Sequence, residues 1–242
     1  MKVVILAAGT SSEYKQAGYQ YPKNLVEVDS QLMIHNVMSS ALGINQDVQL
    51  IVLITEEEDQ RFYTSEIVRM KHPAATIVRV EGETAGALCT ALLAIDLIDD
   101  NEEVIIMNAD QLIKADLSEI HKKFLENRFD AGTISFKTSH PRFSFVRLDD
   151  NNRILEASEK RPISTDATAG FYWFSSGKIF KDAAKSQIRN RQEFNGKYYV
   201  CPVFNELVLR GLNCGAVEIT NENYASFQSP QLLEKYLHEQ RK

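Results

Sequence analysis

Short β-branched runs alternate with helix-length amphipathic segments, and this alternation constrains the chain more than any other feature. Val3 to Leu6 is one such run, closed at once by Ala7-Ala8-Gly9. Residues 31–42 carry Leu32, Ile34, Val37, Met38 and Leu42 at helical spacing, and Val48 to Ile54 is an almost unbroken strand pattern. A helix over 57–70, a strand over 76–80, a helix over 84–98 and a strand from Val104 to Met107 continue the series. Such a series predicts a parallel sheet flanked by helices. Strands that are apolar throughout fit burial on both faces. The second half reads differently, with strands over 131–137, 143–148, 153–158 and 168–174. Asp149-Asp150-Asn151-Asn152 marks a turn between two of them. Helices are expected over 176–190 and 202–210, and a last one opens with Ser229 as N-cap and Pro230 as its first residue. The expectation is an α/β fold: a single domain over 1–242, a three-layer sandwich with a mostly parallel mixed central sheet.

Charge narrows the function. The 242 residues carry 27 Lys+Arg against 33 Asp+Glu, a formal charge of −6. A broad nucleic-acid face needs a basic excess, so no nucleic-acid partner is expected. A small anion is still compatible, because backbone amides and a few lysines can hold a phosphate locally. Cys89, Cys201 and Cys214 match no metal spacing, and their small, odd number fits a reducing compartment. The five histidines (35, 72, 121, 140 and 238) form no metal-spaced pair. No segment reaches the roughly 18 apolar residues of a membrane span, and the first strand is too short for a secretory core. A cytoplasmic protein without membrane insertion is expected.

Ligands of a doubly wound sheet bind at the carboxyl ends of its strands, which singles out five features. The loop Ala7-Ala8-Gly9-Thr10-Ser11-Ser12 lets backbone amides approach an anion, although a tight turn explains it equally simply. It has neither the Gly-Lys-Ser/Thr of a Walker loop nor a dinucleotide glycine fingerprint. Asp110, after the strand ending at Met107, could hold Mg²⁺ against a phosphate or cap the next element. Pro22-Lys23 offers a stiffened point charge. Glu83-Thr84-Ala85-Gly86-Ala87 has the form of a helix start, where Gly86 admits another backbone or a flat ring. Ser158-Glu159-Lys160-Arg161-Pro162 joins an acceptor to two cations.

In order and spacing, these features resemble the sugar-phosphate nucleotidyltransferases, whose fold is glycosyltransferase-A-like and Rossmann-like. Leu6-Ala7-Ala8-Gly9 followed by Pro22-Lys23 resembles the family's nucleotide loop and Pro-Lys element. Asn108-Ala109-Asp110 resembles its metal motif. Glu159-Lys160 and Ala169-Gly170-Phe171-Tyr172 resemble the segments around the sugar. Tyr198 to Leu207 is similar to a subgroup associated with capsule and surface polysaccharide biosynthesis.

The resemblance implies transfer of NMP from an NTP (CTP, UTP or dTTP) to a sugar 1-phosphate, with release of pyrophosphate. It implies Lys23 and Asp110 as catalytic residues, with Asp110 also the Mg²⁺ ligand. It implies nucleotide contacts from Leu6, Ala7, Ala8, Gly9, Thr10, Glu83, Ala85, Gly86 and Asn108, and acceptor contacts from Glu159, Lys160 and Gly170. Residues 1–130 would be the nucleotide-binding half and 131–242 the acceptor-binding half, with no room for an appended C-terminal module. Homo-oligomerisation is compatible with it.

The chain departs from the family in three places. Ser11 stands where a glycine is usual, and Glu13 where a phosphate-binding Arg is usual. Ser226-Phe227-Gln228-Ser229-Pro230 stands where many relatives have a metal-binding Asp. Three alternatives follow: an active enzyme with other phosphate contacts, a cytidylyltransferase for a non-sugar phosphate such as a phosphocholine or phospho-amino acid, or a nucleotide-binding relative of weak activity.

Overall fold

Residues 1–240 are described by a computed structural model. In chain order they form β1 (Lys2–Leu6), α1 (Ser12–Gln16), β2 (Glu27–Val28), β3 (Gln31–Leu32), α2 (Met33–Leu42), β4 (Gln49–Thr55), α3 (Glu56–Phe62), α4 (Thr64–Lys71), β5 (Thr76–Val80), α5 (Ala87–Leu92) and β6 (Val104–Asn108). There follow β7 (Gln111–Ile113), α6 (Leu117–Glu126), β8 (Ala131–Lys137), β9 (Phe145–Leu148), β10 (Ile154–Ser158), β11 (Asp166–Phe174), α7 (Gly177–Arg189), α8 (Val203–Leu209), β12 (Cys214–Glu218), β13 (Tyr224–Ser226) and α9 (Pro230–Gln240).

The two-residue repeat of an extended chain sends alternate side chains of β1 to opposite faces. Val3 and Ile5 join one core layer and Val4 the other. Neither face meets water, so helices cover both. Ile34, Val37 and Met38 of α2 and Phe124 of α6 fill the first layer. Leu88 of α5, Phe180 of α7 and Phe204 of α8 fill the second. A smaller cluster of Tyr14, Val28, Met33, Phe227, Leu233 and Tyr236 ties α9 to α1.

The main sheet runs β10-β9-β11-β6-β1-β4-β5, with β8 on β11 and β12 on β8. β1, β4, β5 and β6 are parallel; β11 is antiparallel to both β6 and β8. The expected single α/β domain with a mixed, mostly parallel sheet is the observed one. From β1 the chain moves to β4 on one side and later to β6 on the other. Loops leaving β1 and β6 therefore diverge, which opens a crevice at their carboxyl ends.

Local departures from the expected elements have physical causes. The 57–70 helix breaks at Tyr63, whose φ of 53° is left-handed. The break lets Thr64 donate to the Glu58 carboxylate and the Ser65 N–H to that of Asp59. The 84–98 helix shortens to α5 with one 3-10 turn over Ile95–Leu97, because Gly86 takes φ +110°. Helix α6, not foreseen, starts at Asp116, whose carboxylate accepts from the N–H groups of Ser118 and Glu119. Strand β12, also unforeseen, owes its place to the parallel ladder with β8.

Candidate active site

The loop after β1 presents its backbone to the crevice. Among the described residues the N–H groups of Ala8, Gly9 and Thr10 have no backbone hydrogen-bond partner, whereas Ala7 donates to the Leu53 carbonyl at 2.9 Å. Leu6 pairs with Leu53 and Asn108 in the ladders and fixes the loop's origin. A Cβ on Gly9 would come within 2.9 Å of Lys23 Nζ, so the glycine is what lets the ammonium lie across the loop. Ser11 has φ −105° and needs no glycine; its Oγ accepts the Lys23 N–H at 3.1 Å. Glu13 lies exposed in α1 and makes no ion pair among the described residues.

Lys23 Nζ donates to Asp110 Oδ2 at 2.7 Å, with the two side chains 10% and 15% exposed. The pair joins the 3-10 turn Lys23–Leu25, which is tied to the β1 loop through Ser11, to the loop leaving β6. The Asp110 carbonyl accepts the Phe227 N–H at 2.8 Å, and the Phe227 carbonyl accepts the Tyr14 hydroxyl at 2.7 Å. Burial, aided by the Asp110 charge, raises the Tyr14 phenol well above its usual range. Strand β13 sets Ser226 opposite Gln111, next in chain to Asp110. The Ser226 hydroxyl is buried and has no hydrogen-bond partner.

No group of three or more His, Cys, Asp or Glu that could hold a metal occurs among the described residues. The nearby oxygen groups are the Asp110 carboxylate and, across the β13 ladder at Gln111, the Ser226 hydroxyl. They suit a hard cation that brings most of its ligands as water and phosphate, the usual mode for Mg²⁺. They do not form a cage for a free ion.

Gly170 connects this centre to the second half. It has φ +57° in a bulge where the β8 register of β11 shifts between Thr168 and Tyr172. A Cβ there would lie 2.5 Å from Asn108 Nδ2 and from Gln111 Oε1. Its carbonyl accepts Gln111 Nε2 at 3.0 Å. Before the bulge β11 pairs with β9, and after it with β6. Glu159 is buried near that opening and accepts a hydrogen bond from Ser144 Oγ. Burial pushes its carboxyl up to about 7, against the opposing pull of Ser144 and Lys160. Tyr172 and Cys201, both buried, sense the Glu159 charge and are themselves raised chiefly by desolvation. Lys160, at φ +52°, sends its ammonium 5.0 Å over the Tyr199 ring and 3.3 Å from the Tyr199 hydroxyl.

The segment Glu83–Ala87 meets a hairpin from the second half. Asn195 and Gly196, with φ 50° and 72°, turn the chain between Phe194 and Lys197, the two left-handed residues of a tight hairpin. Tyr198 N–H donates to the Ala85 carbonyl at 2.7 Å, and Leu88 N–H to the Tyr198 carbonyl at 3.1 Å. A Cβ on Gly86 would lie 2.4 Å from that carbonyl oxygen, so Gly86 admits a backbone here. Glu83 and Ala85 stay exposed.

The structure thus gathers Ala7–Thr10, Lys23, Asn108, Asp110 and Gly170 at one crevice, with Glu159 and Lys160 next to the bulge. Sequence reasoning did not find Ser144, Tyr199 or the Asn24–Glu58 contact. Each is made by residues distant in the chain, and no local signal marks the contact. A depression of about 600 Å³ bounded by Lys2, Asp99 and Lys181 lies at the other end of the sheet, where β1 begins.

Comparison with known proteins places the chain by family and fold. A family model described as nucleotidyl transferase matches residues 2–205. The UTP–glucose-1-phosphate uridylyltransferase AglF of Haloferax volcanii is 25% identical over 229 residues, covering 90% of this chain and 88% of that protein. The bifunctional protein GlmU of Thermotoga maritima is 24% identical over 213 residues, 85% of this chain but 44% of its own length. A nucleoside-diphosphate-sugar pyrophosphorylase structure from Vibrio cholerae shares the fold at a TM-score of 0.82 and 21% identity, covering 98% of this chain and 100% of that one. An inositol-1-phosphate CTP transferase from T. maritima shares it at 0.75 and 17%, covering 98% and 93%. With most of its length matched by the family model, the chain belongs to the nucleotidyl transferase family.

Proposed function

We propose that the protein transfers NMP from an NTP, with CTP, UTP and dTTP as candidates, to a sugar 1-phosphate and releases pyrophosphate. The single observation that carries this reading is the 2.7 Å Lys23–Asp110 pair at the β1/β6 crevice, beside amides without backbone partners. An acceptor phosphate oxygen attacks the α-phosphorus, the bond to the β-phosphate oxygen breaks, and pyrophosphate leaves. Such a reaction needs alignment of two anions and an offset for their charge more than covalent help from the protein.

In this account the amides of Ala8 and Gly9 hold nucleotide oxygens, with Leu6, Ala7, Thr10, Glu83, Ala85, Gly86 and Asn108 around the nucleotide. Lys23 moves from Asp110 to the reacting phosphates as they enter. Asp110 and Ser226 would hold Mg²⁺, which supplies charge neutralisation between phosphate oxygens when bound. Glu159 and Lys160 meet the acceptor, and Gly170 keeps the opening clear. Residues 1–130 then serve the nucleotide and 131–242 the acceptor. The relation of Tyr198–Leu207 to the capsule-associated subgroup supports a place in surface-polysaccharide precursor synthesis.

The exposed Glu13 favours a second reading, transfer to an amine-bearing phosphate that this carboxylate could meet. The test is a screen of each NTP with Mg²⁺, a panel of sugar 1-phosphates and phosphocholine, read as pyrophosphate release. Turnover with a sugar 1-phosphate is the expected result. Turnover with phosphocholine alone establishes the second reading, and nucleotide binding without turnover on any acceptor overturns both.

A further inference from the structure

Lys23 is approached from two sides, and only one faces the crevice. Asp110 stands in front. Behind lies a buried network that the mechanism above leaves unused. Asn24, fully buried, follows Lys23 in the same 3-10 turn. Its Nδ2 donates to the Ala7 carbonyl at 2.7 Å and to both oxygens of Glu58 at 3.0 and 3.1 Å. Both hydrogens of the amide are thereby committed. Its Oδ1 is buried without a partner, so Asn24 is held through its hydrogens alone.

Glu58 is held just as closely. Thr64 Oγ1 donates to Oε1 at 3.0 Å, and the Glu58 N–H donates to Thr55 Oγ1 at 3.2 Å. The neighbouring Asp59 is occupied elsewhere, by the Ser65 N–H at 2.7 Å and Arg79 Nε at 2.6 Å. Both side-chain partners of the Glu58 carboxylate are donors, which suits its ionised form. Desolvation raises its pKa; Asn24, Thr64 and the Lys23 charge oppose the rise, and Asp59 adds to it.

A carboxylate serving only the fold would not need to end its bonds on a ligand loop. This one reaches, through one amide, the Ala7 carbonyl at the exit of β1 and the residue next to Lys23. We propose that Glu58 is a positioning residue for nucleotidyl transfer. Through Asn24 it locks the β1 loop and the backbone of Lys23 to each other, so that the residue stays in place while its ammonium turns from Asp110 to the incoming phosphates. The inference rests on the role proposed above for Lys23.

Glu58→Gln keeps one oxygen for Thr64 and Asn24 but sets an NH2 donor against Asn24 Nδ2 where Oε2 now accepts, and Asn24→Asp sets a second carboxylate against Glu58. The test measures Kd for CTP, UTP and dTTP by calorimetry, KM for the acceptor by pyrophosphate release, and Tm. Both variants should bind the nucleotide preferred by the wild type at least about tenfold more weakly, with acceptor KM within about twofold. Thr64→Val removes a Glu58 partner but leaves the Asn24 link; it should lower Tm and leave nucleotide Kd within about twofold. A purely structural Glu58 would lower Tm in all three variants without this split between nucleotide and acceptor. Unchanged nucleotide affinity in Glu58→Gln overturns the proposal. Should Glu58→Gln show no cooperative melt, Asn24→Ser decides by the same criterion, because it leaves the Glu58–Thr64 bond in place. A wild-type chain that binds none of the three nucleotides overturns the proposed function itself, and this inference with it; wild-type binding with unaltered variants overturns this inference alone.

Discussion

The two halves of the crevice treat buried charge in opposite ways. On the β1/β6 side, the Lys23 ammonium meets the opposite charge of Asp110 at 2.7 Å. On the β9/β11 side, Glu159 is as deeply buried as Lys23, yet its one side-chain partner is the Ser144 hydroxyl. The adjacent cation, Lys160, lies over Tyr199. A buried charge without an opposite charge shifts its pKa instead of staying ionised, and Glu159 rises to about 7 accordingly. The first side is organised before any ligand arrives. The second keeps a carboxyl whose charge is fully compensated only when a donor from outside reaches it.

The contrast can be broken most sharply at Lys23. Lys23→Ala should lower kcat by about 10²- to 10³-fold, the range for loss of one preorganised electrostatic group, in a steady-state pyrophosphate assay. A loss below about fivefold would show that the compensated side is architecture only.

Glu159 comes next. Its carboxyl is raised from 4.5 to about 7 in the folded chain, so the folded state favours the neutral form. Below about pH 4.5 the group is neutral in both states and costs nothing. Between about pH 4.5 and 7 the unfolded chain ionises while the folded chain holds the proton, so stability falls by about 3 kcal/mol at roughly 1.4 kcal/mol per unit and levels off above 7. Glu159→Gln should therefore gain stability over the wild type at pH 8 and match it near pH 4.5, as seen in urea melts. Equal pH slopes for the two proteins would mean that Glu159 finds a compensating charge.

Gly170 is the hinge between the two sides. Gly170→Ala brings a left-handed backbone cost of about 1–2 kcal/mol and drives a methyl against Asn108 and Gln111. Calorimetry should show Tm lower by roughly 5 °C; a Tm within 1 °C of wild type would mean that both side chains simply swing aside. The smallest effect is expected at Glu13, which is exposed and makes no ion pair among the described residues. Glu13→Arg should leave stability within about 0.5 kcal/mol and strengthen nucleotide binding by less than about tenfold, with the gain lost at high salt. A strong loss of turnover would instead give Glu13 a direct role with the acceptor.

These differences were unevenly visible in the sequence. The apolar runs of β1, β4 and β6 announce doubly buried strands, and the residues that follow them, Ala7–Gly9 and Asp110, were legible as crevice residues. The resemblance puts Lys23 and Asp110 at one site, but their direct contact, across 87 positions, was not legible. The break at Tyr63 was hidden because the helical pattern runs on through it; what decides it is the demand of Glu58 and Asp59 for donors from Thr64 and Ser65. Gly86 could be read as making room for a backbone or a ring, but only the fold supplies Tyr198. Glu159 was legible as a residue type, and its missing counter-charge was not, since burial and the orientation of Lys160 belong to the tertiary structure.

The most direct measurement is pyrophosphate release by Asp110→Ala against the wild type, with the best NTP and sugar 1-phosphate from the screen and with Mg²⁺ present. Asp110 has the 2.7 Å contact with Lys23 and heads the metal donor set. The account predicts a loss of at least about 100-fold in kcat with a cooperative melt retained. Activity within a few-fold of wild type would contradict it and move the reacting centre away from the β1/β6 crevice.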